Sequence, residues 1–121
     1  MKSAENHDIL IIGGGIGGLT MALSLHSDGI PCRVFEAASA FRPLGVGINM
    51  MPHAIRVLSS LGLEENLKRF GVEAKEFAYF NRHGQKIFTE PCGRFAGYEY
   101  SHFSIHRGDL HQVLHQAVLE R

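Results

Sequence analysis

Apolar residues change their spacing from one stretch of this chain to the next, and each spacing predicts an element. Ile9-Leu10-Ile11-Ile12 is an unbroken, β-branched run of the length of a buried parallel strand. From Ile16 the apolar positions fall at helical intervals. Ile16, Leu19, Ala22 and Leu23 form a stripe expected to pack on the sheet, with Ser27 and Asp28 at the exposed end. Gly29 ends this helix and Pro31 prevents its continuation. Cys32 to Phe35 reads as a second short strand, which delivers Glu36 at its carboxyl end. Ala37 to Asn49 reads as a loop, where Gly45 and Gly47 imply unusual backbone angles or a close approach.

Pro52 suits the first position of the next helix. Ile55, Leu58 and Leu61 make its apolar stripe, Arg56 lies outside it, and Gly62 closes it. A second short helix, Glu64 to Phe70, opens with acids that suit its amino terminus and stops at Gly71. Glu76 to Arg82 is expected to be a strand carrying Phe77, Tyr79 and Phe80. His83-Gly84 then turns the chain into Lys86 to Thr89 as the hairpin partner. Residues 90–100 read as an irregular loop, Ser101 to Ile105 as a strand, and His106-Arg107-Gly108 as a turn. Asp109 is expected to be a helix cap or first-turn acid. Leu110, Val113, Leu114, Ala117 and Val118 follow the pattern of a helix facing a core. The fold class is therefore α/β: a partial parallel sheet with helices and a small β-hairpin.

The loop between the first strand and first helix carries the chemistry. Gly13, Gly15 and Gly18 stand in G-x-G-x-x-G spacing, and Glu36 follows 18 residues after Gly18, near the roughly 20 typical of a ribose-binding acid. Gly13 is expected to allow a tight turn where a side chain would clash. Gly15 lets the backbone approach a pyrophosphate, and Gly18 lets the helix pack on the strand. The free N–H groups and positive dipole end of the helix face the phosphates. Gly14 and Gly17 have no separate role at this level. An ordinary glycine-rich turn would lack the preceding strand, the following helix and the spaced acid, and all three are present. A carboxylate at Glu36, followed by Ala37 and Ala38 without an arginine, argues against a 2′-phosphate. NAD and FAD both remain.

Composition narrows the setting. The 121 residues suffice for one core at most, and 12 basic against 12 acidic residues leave no footprint for nucleic acid or anionic membrane. No apolar run approaches a transmembrane length. The opening MKSAENHD is too polar for a signal peptide, so a cytoplasmic location is expected. Cys32 and Cys92 have neither metal nor redox spacing, and no disulfide between them is expected in the cytosol. His111 and His115 share the spacing of paired zinc ligands, but without a neighbouring Glu or a third ligand they read as a solvated helix face. No metal site is expected. His106 reads as structural, and Phe77, Tyr79, Phe80 and Phe88 as core. Met50-Met51 could line a cavity or fill space. The chain stops inside a helical pattern at Leu119-Glu120-Arg121, as an amino-terminal piece of a longer protein would.

The fingerprint extends as Gly13-x-Gly15-x-x-Gly18-x-x-x-Ala22-x-x-Leu25-x-x-x-Gly29, a form that resembles Rossmann-like FAD-binding domains of the glutathione-reductase type. Two further blocks accompany it: Arg42-Pro43-Leu44-Gly45-Val46-Gly47-Ile48-Asn49 running into Pro52-His53-Ala54, and Ser104-Ile105-His106-Arg107-Gly108-Asp109-Leu110. Together they resemble the amino-terminal portion of the class A FAD-dependent aromatic hydroxylases, the p-hydroxybenzoate hydroxylase-like monooxygenases, and among these the phenazine-modifying members. The resemblance implies that Gly13, Gly15 and Gly18, with Ile16 and Gly17 in the same loop, bind the FAD pyrophosphate. It implies that Glu36, with Ala37 beside it, binds the adenosine ribose. The Gly45-Val46-Gly47 loop would pass the flavin, Arg107 would reach FAD near the flavin and its phosphates, and Leu110 would pack behind it. Arg42 would lie near the flavin.

The implied chemistry is reduction of FAD by NADH or NADPH, formation of a flavin C4a-hydroperoxide with oxygen, and hydroxylation of an aromatic or phenazine-like substrate. The flavin does this work, so no catalytic protein residue is singled out. Residues 1–121 would be the amino-terminal part of an FAD-binding domain, inactive alone and completed by the rest of a parent chain that supplies the substrate domain. An NAD-linked dehydrogenase and a non-catalytic nucleotide-binding fragment are the alternatives.

Overall fold

The structure, a computed structural model, describes residues 8–41 and 45–121. Strand β1 (Ile9–Ile12) leads into helix α1 (Ile16–Ser27) and strand β2 (Cys32–Phe35), and β1 and β2 pair in parallel from Ile9↔Cys32 to Ile12↔Phe35. Strand β3 (Gly47–Met50) is followed by helices α2 (Pro52–Ser60) and α3 (Glu64–Phe70), strand β4 (Val72–Glu73), and the hairpin of β5 (Glu76–Phe80) and β6 (Lys86–Pro91). A 3-10 turn (Gly93–Ala96), strand β7 (Phe103–His106) and helix α4 (Arg107–Leu119) complete the chain. β7 is the centre of an antiparallel sheet, with β3 on one side and β4 on the other. The α/β class holds, with the parallel βαβ unit where the sequence implied it.

The apolar stripes read on α1, α2 and α4 form the core, whereas β1 stays outside it. The core is built from Leu19 and Leu23 of α1, Ile55 and Leu58 of α2, Leu67 of α3, Phe103 and Ile105 of β7, and Leu110, Val113 and Leu114 of α4. The stripe on α1 meets α4 as well as the strands. β1 is not buried: Leu10 is 60% exposed and Ile12 82% exposed. The reason is its position. Among the described residues β1 has a single neighbouring strand, and a parallel strand is covered on both faces only when helices pack on each.

Several helix limits follow the sequence closely. Pro52 opens α2, and Gly62 ends it with φ +78°, a value that suits glycine. Gly71 stops α3, its N–H donating to the Leu67 carbonyl at 2.7 Å.

Other limits differ. Residues 47–49, expected within a loop, form β3 together with Met50 because they find a distant partner in β7. The expected turn at 106–108 is absent. β7 runs straight into α4, and His106 is the N-cap, its Nδ1 accepting the Gly108 N–H at 3.2 Å. Asp109 is the first-turn acid. The hairpin tip is organised by Asn81, whose Oδ1 accepts the N–H groups of His83 and Gln85. β5 therefore stops at Phe80, short of Arg82, while β6 continues to Pro91. Tyr79, Phe80 and Phe88 are exposed instead of core, with Tyr79 stacked on Phe88 across the strands at 4.4 Å. A two-stranded ribbon has no second layer to bury them.

Candidate dinucleotide site

The glycine loop rises from the end of β1, where the Gly13 N–H donates to the Phe35 carbonyl at 2.7 Å and joins the loop to the end of β2. Gly13 has φ +109°, and an added Cβ would meet nothing within 4 Å. The expected side-chain clash is thus corrected. Glycine is required here by backbone conformation. At Gly18 the expectation holds in full: a Cβ would overlap the Gly13 carbonyl oxygen and lie 3.3 Å from Ile11 Cγ2.

Gly15 is the N-cap of α1, and among the described residues no side chain caps the first-turn N–H groups. A Cβ on Gly15 would also meet nothing within 4 Å. An open, uncapped helix start presents unused donors and a positive dipole end, the physical requirement for an anion.

Glu36 stands beside this opening. Its Oε2 accepts the Gly14 N–H at 2.7 Å and its Oε1 accepts the Ala38 N–H at 2.8 Å. These bonds hold its pKa below the ordinary glutamate value, Ala38 contributing most, then Gly14, with desolvation opposing and the Ala37 N–H assisting. The result is a fixed carboxylate with lone pairs left over for hydroxyl donors. Gly14, to which no role had been attached, is therefore the link between the loop and the acid. A Cβ there would come 3.2 Å from the Cβ of Glu36.

Across the opening lies the start of α4. A groove of about 890 Å³ runs between the two, lined by Gly14, Gly15, Glu36, Ala37, Phe41, Arg107 and His111, among others. Arg107 is the first residue of α4, and its main-chain N–H donates to the Val46 carbonyl at 2.9 Å. Together with the Gly47↔His106 pairing, this bond brings the Gly45-Val46-Gly47 block against the Arg107 block. Among the described residues, none beyond its chain neighbours comes within 4 Å of a Cβ placed on Gly45.

Not every residue singled out from sequence reaches the groove. Leu110 is buried in the core behind Arg107. Ile16 packs against that core, and Gly13, Gly17, Gly18, Gly45, Val46 and Gly47 lie beyond the lining. Arg42 falls outside the described residues.

His111 was missed. It is half-buried, not solvated: its Nε2 donates to the Gly14 carbonyl at 2.7 Å, and its ring lies 4.1 Å from that of Phe41. His115 meets the edge of the same Phe41 ring at 4.8 Å. The only signal in sequence was two histidines four apart, which places them on one helical face without naming what they touch.

A second cavity, of about 620 Å³, lies between the hairpin and α2 and includes Met51, Arg56, Phe77, Tyr79 and His102. Met50, by contrast, is buried in the core. Among the described residues no group of three His, Cys, Asp or Glu side chains could hold a metal ion, and no helix is long and apolar enough to cross a membrane.

Comparison with known proteins bears on which dinucleotide this site suits. Residues 6–119 match a family described as the FAD binding domain. The chain is 48% identical to the phenazine 1,6-dicarboxylic acid hydroxylase PhzS of Lysobacter antibioticus, over all of this chain and 30% of that protein. It superimposes on p-nitrophenol 4-monooxygenase PnpA from Pseudomonas putida with a TM-score of 0.84 at 23% identity, covering 94% of this chain and 29% of that one. A variant of Klebsiella pneumoniae HpxO solved in complex with FAD gives a TM-score of 0.76 at 25% identity, over 90% of this chain and 28% of the other. The chain thus spans about 30% of the length of the curated relative it matches.

Proposed function

This chain belongs to the FAD binding domain family, and from that premise we propose that it is the adenosine-diphosphate cradle and part of the flavin wall of an FAD-dependent monooxygenase acting on an aromatic or phenazine-like substrate. Residues 1–121 are the amino-terminal part of the FAD-binding domain in this reading, and further polypeptide supplies the substrate domain. The carrying observation is a single arrangement. The uncapped start of α1, the anchored carboxylate of Glu36 and the guanidinium-bearing residue Arg107 all border one groove.

The chain's residues divide the work by their chemistry. The open amides at Gly15 and the first turn of α1 receive the diphosphate. Glu36, kept ionised by the Ala38 and Gly14 N–H groups, accepts hydrogen bonds from ribose hydroxyls. Arg107 supplies a permanent, planar positive charge toward the phosphates and flavin side. The Gly45-Val46-Gly47 segment, tied to Arg107 through Val46, gives the flavin ring an approach with little side-chain bulk. Once bound, the flavin supplies the redox chemistry, taking reducing equivalents from NADH or NADPH and using oxygen to hydroxylate the substrate. The phenazine-like substrate class is supported by the 48% identity to a phenazine hydroxylase.

Titration of the purified chain with FAD, followed by quenching of flavin fluorescence, tests the cradle. Saturable binding that NAD does not displace is expected; NAD binding without FAD binding would overturn the reading. In a polypeptide of the relatives' full length, substrate-dependent oxygen uptake with a phenazine carboxylate and either NADH or NADPH tests the activity.

A further inference from the structure

The contact between His111 and Gly14 has no part in the assignments above, and it carries an inference that rests on the FAD reading. Gly14 is held from both sides. Its N–H donates to Glu36 Oε2 at 2.7 Å, and its carbonyl oxygen accepts from His111 Nε2 at 2.7 Å. A carbonyl can only accept, so His111 carries a proton on Nε2. The two bonds pin successive peptide units, Gly13–Gly14 through the amide and Gly14–Gly15 through the carbonyl. Peptide units are planar, so fixing the Gly14 oxygen also fixes the direction of the Gly15 N–H at the mouth of α1.

A run of three glycines has little steric resistance to turning a peptide unit over. A unit turned over would present a carbonyl oxygen where an anion is to bind. His111 is well placed to prevent this, because its ring lies against Phe41 and its helix is anchored by the buried Leu110 and Leu114. We propose that His111 is a positioning residue for the dinucleotide site, locking the Gly14–Gly15 peptide unit in the orientation that receives the FAD diphosphate. It acts by preorganising the loop before the ligand arrives.

The test compares the unaltered chain with His111→Gln, which keeps a nitrogen donor at similar reach, and His111→Phe, which keeps a ring beside Phe41 and removes the donor. Two quantities are read: the Kd for FAD by flavin fluorescence, and hydrogen exchange of the Gly14 amide in the ligand-free protein by NMR. His111→Phe is expected to weaken FAD binding about tenfold and to speed Gly14 exchange, while His111→Gln stays within about threefold on both. A His111→Phe chain with unaltered affinity or unaltered exchange overturns the proposal. So does a His111→Gln chain as impaired as the Phe variant. If Phe unfolds the chain, as judged by far-UV circular dichroism, His111→Asn, too short to reach Gly14, replaces it with the same outcomes. An unaltered chain that binds no FAD overturns the cofactor reading and this inference with it; an unaltered chain that binds while the variants are indifferent overturns the inference alone.

Discussion

Gly18 and Gly13 meet backbone to side-chain position: the space a Cβ on Gly18 would occupy is taken by the carbonyl oxygen of Gly13. Helix α1 can lean on the turn that launches it only because Gly18 has no side chain. Gly18→Ala is therefore expected to destabilise the chain by about 1–3 kcal/mol, the range for overpacking, in urea unfolding. Gly15→Ala should separate stability from binding. Nothing lies within 4 Å of its Cβ position, so stability should move by no more than about 0.5 kcal/mol while FAD affinity falls.

Acid should loosen the cradle through Glu36. Its pKa is lowered in the folded chain, first by the Ala38 N–H and then by that of Gly14. A group with a depressed native pKa stabilises the fold fully above its unfolded value, and that contribution is lost as pH falls through the native value. The Gly14 amide is expected to lose exchange protection over the same acid range. Glu36→Gln should abolish this pH dependence and weaken FAD binding at neutral pH. An acid profile shared by the Gln variant would contradict the assignment.

Arg107 is tied by its main chain to Val46, the residue before β3, and borders the groove. Arg107→Ala should leave the urea midpoint unchanged and raise the Kd for FAD by about tenfold. Arg107→Lys should recover only part of that loss, since an ammonium keeps the charge but not the planar fork. Parallel FAD titrations of the three proteins decide it.

The two apolar surfaces of this molecule should respond oppositely to substitution. Leu114, at 0% exposure, sits in the core, and Leu114→Ala is expected to cost about 2–5 kcal/mol. Ile12, at 82% exposure, lies on the open strand, and Ile12→Thr should shift stability by no more than about 0.5 kcal/mol. Denaturant titration of both variants is the check.

What could be read from sequence was what neighbouring residues decide among themselves. The βαβ unit, the helix stops at Gly62 and Gly71 and the proline start of α2 all depend on residues a few positions apart. The pairing of β3 with β7 joins residues about 56 apart, and nothing in Gly47-Ile48-Asn49-Met50 announces that partner. The sequence reads His106 as part of a turn, whereas its Nδ1 caps α4 in place of the usual hydroxyl or carboxylate. Gly15 and Glu36 of the groove are legible through their spacing. The histidine that holds Gly14 is not, because a side chain 97 positions away enters the loop only once α4 has packed on α1.

The place of β7 between β3 and β4 has a consequence for how the chain could be divided. The hairpin comes between β4 and β7 in sequence, and residues 82–85 of its tip are exposed. A protease cut there would leave two pieces that interlock: the second piece lays β7 between two strands of the first and sets α4 against α1. The glycine loop and Glu36 would belong to one piece, Arg107 and His111 to the other. Reassembly of the nicked halves would then be readable as the return of nucleotide binding, making this scaffold a natural candidate for fragment complementation.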